Sequence, residues 1–376
     1  MREYLLVLVM AAVVTYLCTG ATRRIAHRIG AMTAIRDRDV HVIPTPRLGG
    51  LAIMLGVAVA IMLAGKLPFL GRIPEVGHDS RALLAGAAVM FVRGAVDDVH
   101  ELDPLTKLAG QVVAAGLTVV LGVQFLWFPL PGGTFALPPV LSAVLTALVI
   151  IVMANAVNFV DGLDGLATGI CIIGALAFFS YSYLLSFSLG LNRALSASLV
   201  MVAVAGACLG FLPHNFYPTK IFMSDSGALP LGALLGGATV NLTGFIDPSV
   251  MQQSGRPTWV PVMLPLILAV AVLALPSIEL VSTVIRRTRA GRPVFSADRQ
   301  HLHHRLMFDI GHTHRGTVLL LWAWAALIAF GVVAIGLIGG FVPVAAVAGV
   351  GILLLLGTLV SPARIRRRRE RRPSDG

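Results

Sequence analysis

The chain has 376 residues, 57% of them hydrophobic and only 12% charged. A soluble domain carries about 25% charged residues. The apolar residues come in long blocks, which excludes a string of two or three soluble domains and points to one bundle of membrane helices. A bilayer core about 30 Å thick takes roughly 20 apolar residues per span. The net charge of +11 alone would suggest a nucleic-acid partner. The Lys and Arg residues, however, sit in loops between apolar blocks, the pattern of positive-inside topology, and no nucleic-acid partner is expected.

The predicted fold is all-α, a polytopic transmembrane bundle of about eleven spans. In chain order they fall at about 4–20, 48–65, 81–96, 107–126, 138–155, 166–189, 194–212, 227–244, 259–281, 316–338 and 341–360. Residues 1–360 are read as a single integral-membrane domain, and 361–376 as a basic cytoplasmic tail expected to be disordered. The first block lacks a cleavage site of small residues and precedes a basic loop, so it reads as a span and not as a signal peptide. Cys18, Cys171 and Cys208 lie inside apolar blocks and read as small core residues.

Charge asymmetry sets the orientation. With the N-terminus outside, the inner segments hold Arg23, Arg24, Arg28, Arg36, Arg38, Arg47, Lys107, Lys220, seven arginines in 282–315 and seven in the tail. The outer segments hold only Arg2, Lys66, Arg72, Arg81, Arg193 and Arg256. The bias predicts a C-terminus on the cytoplasmic side of the membrane. The same alternation puts five polar segments on the inner face, at 44–50, 97–101, 158–165, 214–227 and 301–305. The outer loops are short and chemically plain, so one cytoplasmic face is expected to carry the function.

Asp97 and Asp98 stand where an apolar stretch ends. Adjacent carboxylates beside a membrane need compensation by a divalent cation, a nearby Arg or Lys such as Lys107, or a shared proton. A solvated helix end is the plain alternative. Asn158, Asp161 and Asp164 are spaced to share a face if the segment stays near-helical, although Asp164 would also serve as the N-cap of the next helix. Asp225, between two serines, is either another cap or a metal ligand. Carboxylates clustered beside arginines suit Mg²⁺ with a polyphosphate, because magnesium takes oxygen ligands, one or two carboxylates plus phosphate. His301, His303 and His304 lack the spacing of a zinc-hydrolase pair. With Arg299, Arg305 and Arg315 they read as hydrogen-bond donors to phosphate or as a basic loop on anionic lipid.

Several motifs in order give a resemblance. PTPRLGG stands at 44–50, GAVDDVHELDPLTKLAGQ at 94–111, NAVNFVDGLDGLA at 155–167, GACLGFLPHNF at 206–216 and KIFMSDSGA at 220–228. HLHHRL at 301–306 and GHTHR at 311–315 follow. Over residues 30 to 320 the chain resembles the polyprenyl-phosphate N-acetylhexosamine-1-phosphate transferases, membrane enzymes that start bacterial cell-wall polymers.

The resemblance implies the following roles. Asp97, Asp98 and Asp161 are catalytic carboxylates, with Asp98 deprotonating the lipid phosphate. Asp225 and Asn158 hold Mg²⁺, for which Mn²⁺ can substitute. Arg47, Asp164, Asn215 and Phe222 bind substrate, the last three lining a uridine pocket, while His301, His303, His304 and Arg305 engage the sugar and diphosphate. The partners implied are a UDP-sugar and a polyprenyl phosphate in the membrane, with a homodimer compatible. The PTPR and HLHH forms resemble the enzymes using UDP-N-acetylglucosamine. The muramoyl-pentapeptide branch normally has Thr in place of Arg47 and three consecutive histidines. The motif strings and arginine-rich tail are similar to actinobacterial members, which implies a decaprenyl phosphate acceptor.

Three residues depart from the family pattern. Ser224 replaces the usual glycine before Asp225, where its side chain would crowd a diphosphate or demand an awkward backbone angle. Glu279 lies in an apolar span, and Arg93 is placed to pair with Asp97 four residues on or to snorkel. Outside the family, a transporter is the main rival. It would carry ionisable groups at mid-membrane and show paired repeats, neither of which stands out here.

Overall fold

The computed structural model describes residues 1–33, 44–100, 102–130, 133–189, 192–244, 259–272, 288, 312–338 and 341–359. Among them are eleven long α-helices: α1 Arg2–Ile29, α2 Gly49–Ala64, α3 Pro74–His100, α4 Pro104–Val120, α5 Pro139–Val160 and α6 Leu166–Leu189. The rest are α7 Asn192–Asn215, α8 Ser224–Gly244, α9 Trp259–Val272, α10 His314–Ile338 and α11 Phe341–Leu359. Six of these, α1, α5, α6, α7, α10 and α11, are long and apolar enough to cross a membrane by length and composition. The described residues are therefore predominantly helical and of membrane type. Glu279 and the tail 361–376 lie outside the described residues.

Local chemistry sets the helix ends. Gly30 closes α1 in the left-handed conformation at φ 74°, its N–H returning to Ala26 O. Asp103 caps α4, accepting from the N–H groups of Leu105 and Thr106, with Pro104 at the first helical position. Pro139 opens α5 in the same way.

Two expectations need correction. The helix expected over 107–126 stops at Val120, and two strands follow that pair antiparallel, Trp127–Leu130 with Gly133–Ala136. Gly122 sits at φ 95°, which favours glycine, and Pro129 has no amide hydrogen to continue a helix. The span expected at 81–96 belongs to a helix of 27 residues. Its first turns carry Glu75, His78, Asp79 and Arg81, which conceal the helix from an apolar reading.

Helix α8 is the centre of the molecule. Every residue from Ser226 to Gly244 is buried. Its sequence past Asp225 has no charge and is apolar on all sides, the pattern of a helix enclosed by others. It packs against α2, α3, α5, α7 and α9. Small residues bring the helices together, as expected where lipid supplies no hydrophobic drive between them. On α7, a Cβ at Gly206 or Gly210 would strike the backbone carbonyls of Leu8 and Ala12 on α1. On α8, one at Gly232 would strike Met153 on α5. By contrast α11 keeps most of its surface exposed, as a lipid-facing helix would.

Candidate active site

The C-terminal ends of α3, α5 and α7 and the N-terminal ends of α2, α4, α6 and α8 meet at one end of the bundle. A short β-bridge, Met32 with Pro46, brings the 44–48 segment against the end of α1. Its backbone then clamps the entry to α8: Phe222 N–H donates to Pro46 O at 2.9 Å, and Gly49 N–H donates to Phe222 O at 3.0 Å. Close backbone approach completes the arrangement. A Cβ on Gly94 would lie 2.5 Å from Asp225 O, and one on Gly50 would strike Ser226. The polar segments at 44–50, 97–100, 158–165 and 214–227 are thus drawn together.

Two carboxylates from separate segments hold residues 224–226, and a third, Asp225, lies within that stretch. Asp161, just past the end of α5, accepts the Ser224 N–H at 2.8 Å. Asp98 accepts the Ser224 hydroxyl at 2.5 Å and the Ser226 N–H at 3.4 Å. Asp225 lies between them in the first turn of α8, where the helix dipole favours a negative charge. Asn158 Nδ2 donates to Asp225 Oδ1 at 2.7 Å, and Arg93 Nη1 lies 3.2 Å from Asp225 Oδ2. Asp97 shares a hydrogen bond with Asp225 and is also held by Lys107 Nζ, 2.7 Å from its Oδ2, and by the Leu102 N–H, which donates to its Oδ1 at 2.8 Å. Lys107 is therefore the counter-ion that its place in the sequence suggested.

The shared near-helical face expected for residues 158, 161 and 164 does not form, because α5 ends at Val160 and a turn follows. Each side chain instead finds its own partner. Asp164 is buried and accepts the Thr219 N–H at 3.1 Å. Asn215 is buried too: its Oδ1 accepts the Thr168 hydroxyl at 2.6 Å and its Nδ2 donates to Ile221 O at 3.1 Å. Both brace the 216–223 loop, in which Phe222 is half-buried. Arg47 is half-buried, and its charge favours the ionised form of Asp98. His301, His303, His304 and Arg305 lie outside the described residues.

These acids lie beyond the apolar part of their helices, and their environments separate them. Burial pushes the Asp98 carboxyl up to about 6, against the hydrogen bonds from Ser224 and Ser226. Burial also lifts Asp161, to about 7, against the Ser224 N–H and with help from the charges of Asp225 and Asp98. Asp225 is raised by burial and by sharing a hydrogen bond with Asp97. For Asp97 burial acts upward, but the bonds from Asp225, Lys107 and the Leu102 N–H outweigh it and hold the group low. The site thus pairs acids of low and high proton affinity near neutral pH, a property of functional sites.

Two contacts were hidden from the sequence. Ser224 lies in the left-handed region at φ 56° and joins Asp98 to Asp161. The conflict that its side chain signalled is thus one of backbone angle. Arg93 does lie 4.0 Å from Asp97 along its own helix, but its closer partner is Asp225, 132 residues away. Among the described residues no group of three His, Cys, Asp or Glu side chains is arranged to hold a metal. The donors at hand are the Asp225 and Asp97 carboxylates and the Asn158 amide, an all-oxygen set once that amide turns over.

The family model described as Glycosyl transferase family 4 matches residues 80–243, which span all three central carboxylates. The chain is 44% identical over 341 residues to the decaprenyl-phosphate N-acetylglucosaminephosphotransferase of Mycobacterium tuberculosis, covering 88% of this chain and 82% of that one. It is 32% identical over 333 residues to a probable undecaprenyl-phosphate N-acetylglucosaminyl 1-phosphate transferase of Bacillus subtilis, covering 85% and 82%. It is also 32% identical over 352 residues to the phospho-N-acetylmuramoyl-pentapeptide-transferase of Moorella thermoacetica, covering 88% and 97%. The chain belongs to glycosyl transferase family 4, among the polyprenyl-phosphate N-acetylhexosamine-1-phosphate transferases.

Proposed function

We propose that this protein transfers N-acetylglucosamine-1-phosphate from UDP-N-acetylglucosamine to a polyprenyl phosphate, with decaprenyl phosphate as the acceptor, and releases UMP. The observation that carries the reading is the convergence of Asp98 and Asp161 on residues 224–226, which carry Asp225, at the N-terminus of a buried helix. The names of the 44%-identical relatives support the transferred N-acetylglucosamine phosphate group and the decaprenyl phosphate acceptor.

The reaction is phosphoryl transfer. An oxygen of the lipid phosphate attacks the sugar-side phosphorus, the bond to the bridging oxygen breaks, and UMP leaves. Such reactions depend on alignment and charge neutralisation more than on covalent chemistry. Asp98, proton-seeking and under the charge of Arg47, takes the acceptor's proton or orients its phosphate. Asp161 fixes the backbone at Ser224 and thereby the direction of Asp225. The first-turn N–H groups of α8 and the positive end of its dipole favour an anionic diphosphate there.

A divalent cation fits the donor set. Asp225, Asp97 and the Asn158 amide oxygen would hold Mg²⁺, which takes oxygen ligands and completes its shell with water and phosphate. When bound, the ion would neutralise diphosphate charge. The bias of Lys and Arg toward one set of loops supports a cytoplasmic site. That is where a soluble nucleotide would meet a polyprenyl chain unable to leave the bilayer, at about 0.8 kcal/mol for each CH₂.

A panel of UDP-sugars offered with decaprenyl phosphate tests the assignment. UDP-N-acetylglucosamine is expected to give UMP fastest. Preference for the UDP-muramoyl-pentapeptide would move the chain to the other branch, and no UMP from any donor would remove the enzymatic reading.

A further inference from the structure

Asp225 already has a cation beside it. Arg93 Nη1 lies 3.2 Å from Asp225 Oδ2, and Nη2 lies 4.0 Å from Asp97 Oδ2. The arginine is only 8% exposed. Its stem runs through a slot left by Gly110 on α4, where a Cβ would come within 2.7 Å of Arg93 Cγ. Its Nε is buried with no hydrogen-bond partner among the described residues. A guanidinium next to a membrane span is tolerated only with compensating charge. Here the compensation is the Asp97–Asp225 pair.

This placement leaves both Asp225 oxygens engaged, Oδ1 with Asn158 and Oδ2 with Arg93. Lys107 occupies Asp97 in the same way. The two carboxylates thus meet two cationic side chains before any ion arrives. A divalent cation binding Asp225 must share an oxygen with the guanidinium and sit close to its charge, and like charges a few ångströms apart in a partly dry site repel strongly.

We propose that Arg93 is a positioning residue and resident counter-cation: it holds Asp225 and Asp97 together while no divalent cation is bound, and it weakens the affinity for that cation. The proposal rests on Asp225 being the metal ligand. Loss of the arginine leaves Asp225 still oriented through Asn158, so the dominant consequence is loss of a competing charge.

Direct binding of Mn²⁺ to the purified full chain in detergent, followed by electron paramagnetic resonance, tests this, together with thermal unfolding over a range of Mg²⁺ concentrations. Arg93→Met is expected to bind Mn²⁺ at several-fold lower concentration than the wild type. It should melt at lower temperature without divalent ion and recover toward the wild type as Mg²⁺ saturates, since binding to the folded state stabilises it. Arg93→Lys keeps the charge and should stay near the wild-type affinity.

Unchanged or weaker Mn²⁺ binding by Arg93→Met, or a melting deficit that Mg²⁺ does not narrow, would reduce Arg93 to a packing residue. If the Met variant does not fold, Arg93→Gln carries the same expectation and the same refutation. Asp225→Asn is the separate control: wild-type Mn²⁺ affinity in that variant would remove the metal assignment beneath the proposal, whatever the Arg93 variants do.

Discussion

The Ser224 hydroxyl donates to Asp98 Oδ1 at 2.5 Å from a backbone held at φ 56°. A left-handed conformation costs a residue with a Cβ about 1–2 kcal/mol. What the serine contributes in return is a donor to a buried carboxylate, and that donor favours the ionised form. Removing it should raise the proton affinity of Asp98 further. Ser224→Ala and Ser224→Gly are both expected to move the acidic limb of the kcat/KM profile to higher pH, by about half a unit to one unit. Only the glycine variant also relieves the backbone. A limb unmoved in both would show that the hydroxyl does not tune Asp98.

The raised acids also make a prediction about stability. Asp98 and Asp161 are lifted from 3.8 to about 6 and about 7. Between the unfolded and folded values the folded state keeps protons that the unfolded chain has released. Stability therefore falls as pH rises from about 4 toward 7, the reverse of the usual salt-bridged carboxylate. Without divalent cation, the melting temperature should drop between pH 5 and pH 8. Asp161→Asn should flatten that slope, because it removes one of the two raised carboxyls. A melting temperature that climbs over this range would contradict the assignment.

Gly94 permits the approach of α3 to α8. A Cβ there would sit 2.5 Å from Asp225 O and 2.7 Å from Ser226 N, both backbone atoms that cannot rotate away. Gly94→Ala should cost about 1–3 kcal/mol in stability. By displacing Asp225 from Asp98 it should lower kcat by about a hundredfold. Gly116→Ala, on a helix face with open space, is the control and should melt and turn over like the wild type. Equal behaviour of the two variants would show that the contact is slack.

The sequence exposed the all-helical membrane character through block hydrophobicity, and the polar cluster through the alternation of charged loops. It concealed whatever depends on helix-to-helix contact. The position of Arg93 announces Asp97 four residues on, but nothing in its spacing announces Asp225 across the bundle. Asn215 and Asp164 carry the residue types of a ligand pocket, yet the contacts described for them brace the 216–223 loop, because their partners come from Thr168, Ile221 and Thr219. The strand pair after α4 was obscured by an apolar stretch, Leu121 to Phe128, that satisfies a helical reading until Gly122 and Pro129 are weighed.

The most direct test is lipid-dependent turnover. Purified protein in detergent, given UDP-N-acetylglucosamine, decaprenyl phosphate and Mg²⁺, should release UMP in step with a decaprenyl diphosphate sugar. Omission of the lipid should stop both products, and Asp225→Asn should lower the rate by at least about a hundredfold. UMP formed without the lipid, or a variant as active as the wild type, would contradict a transferase centred on the carboxylates around Ser224.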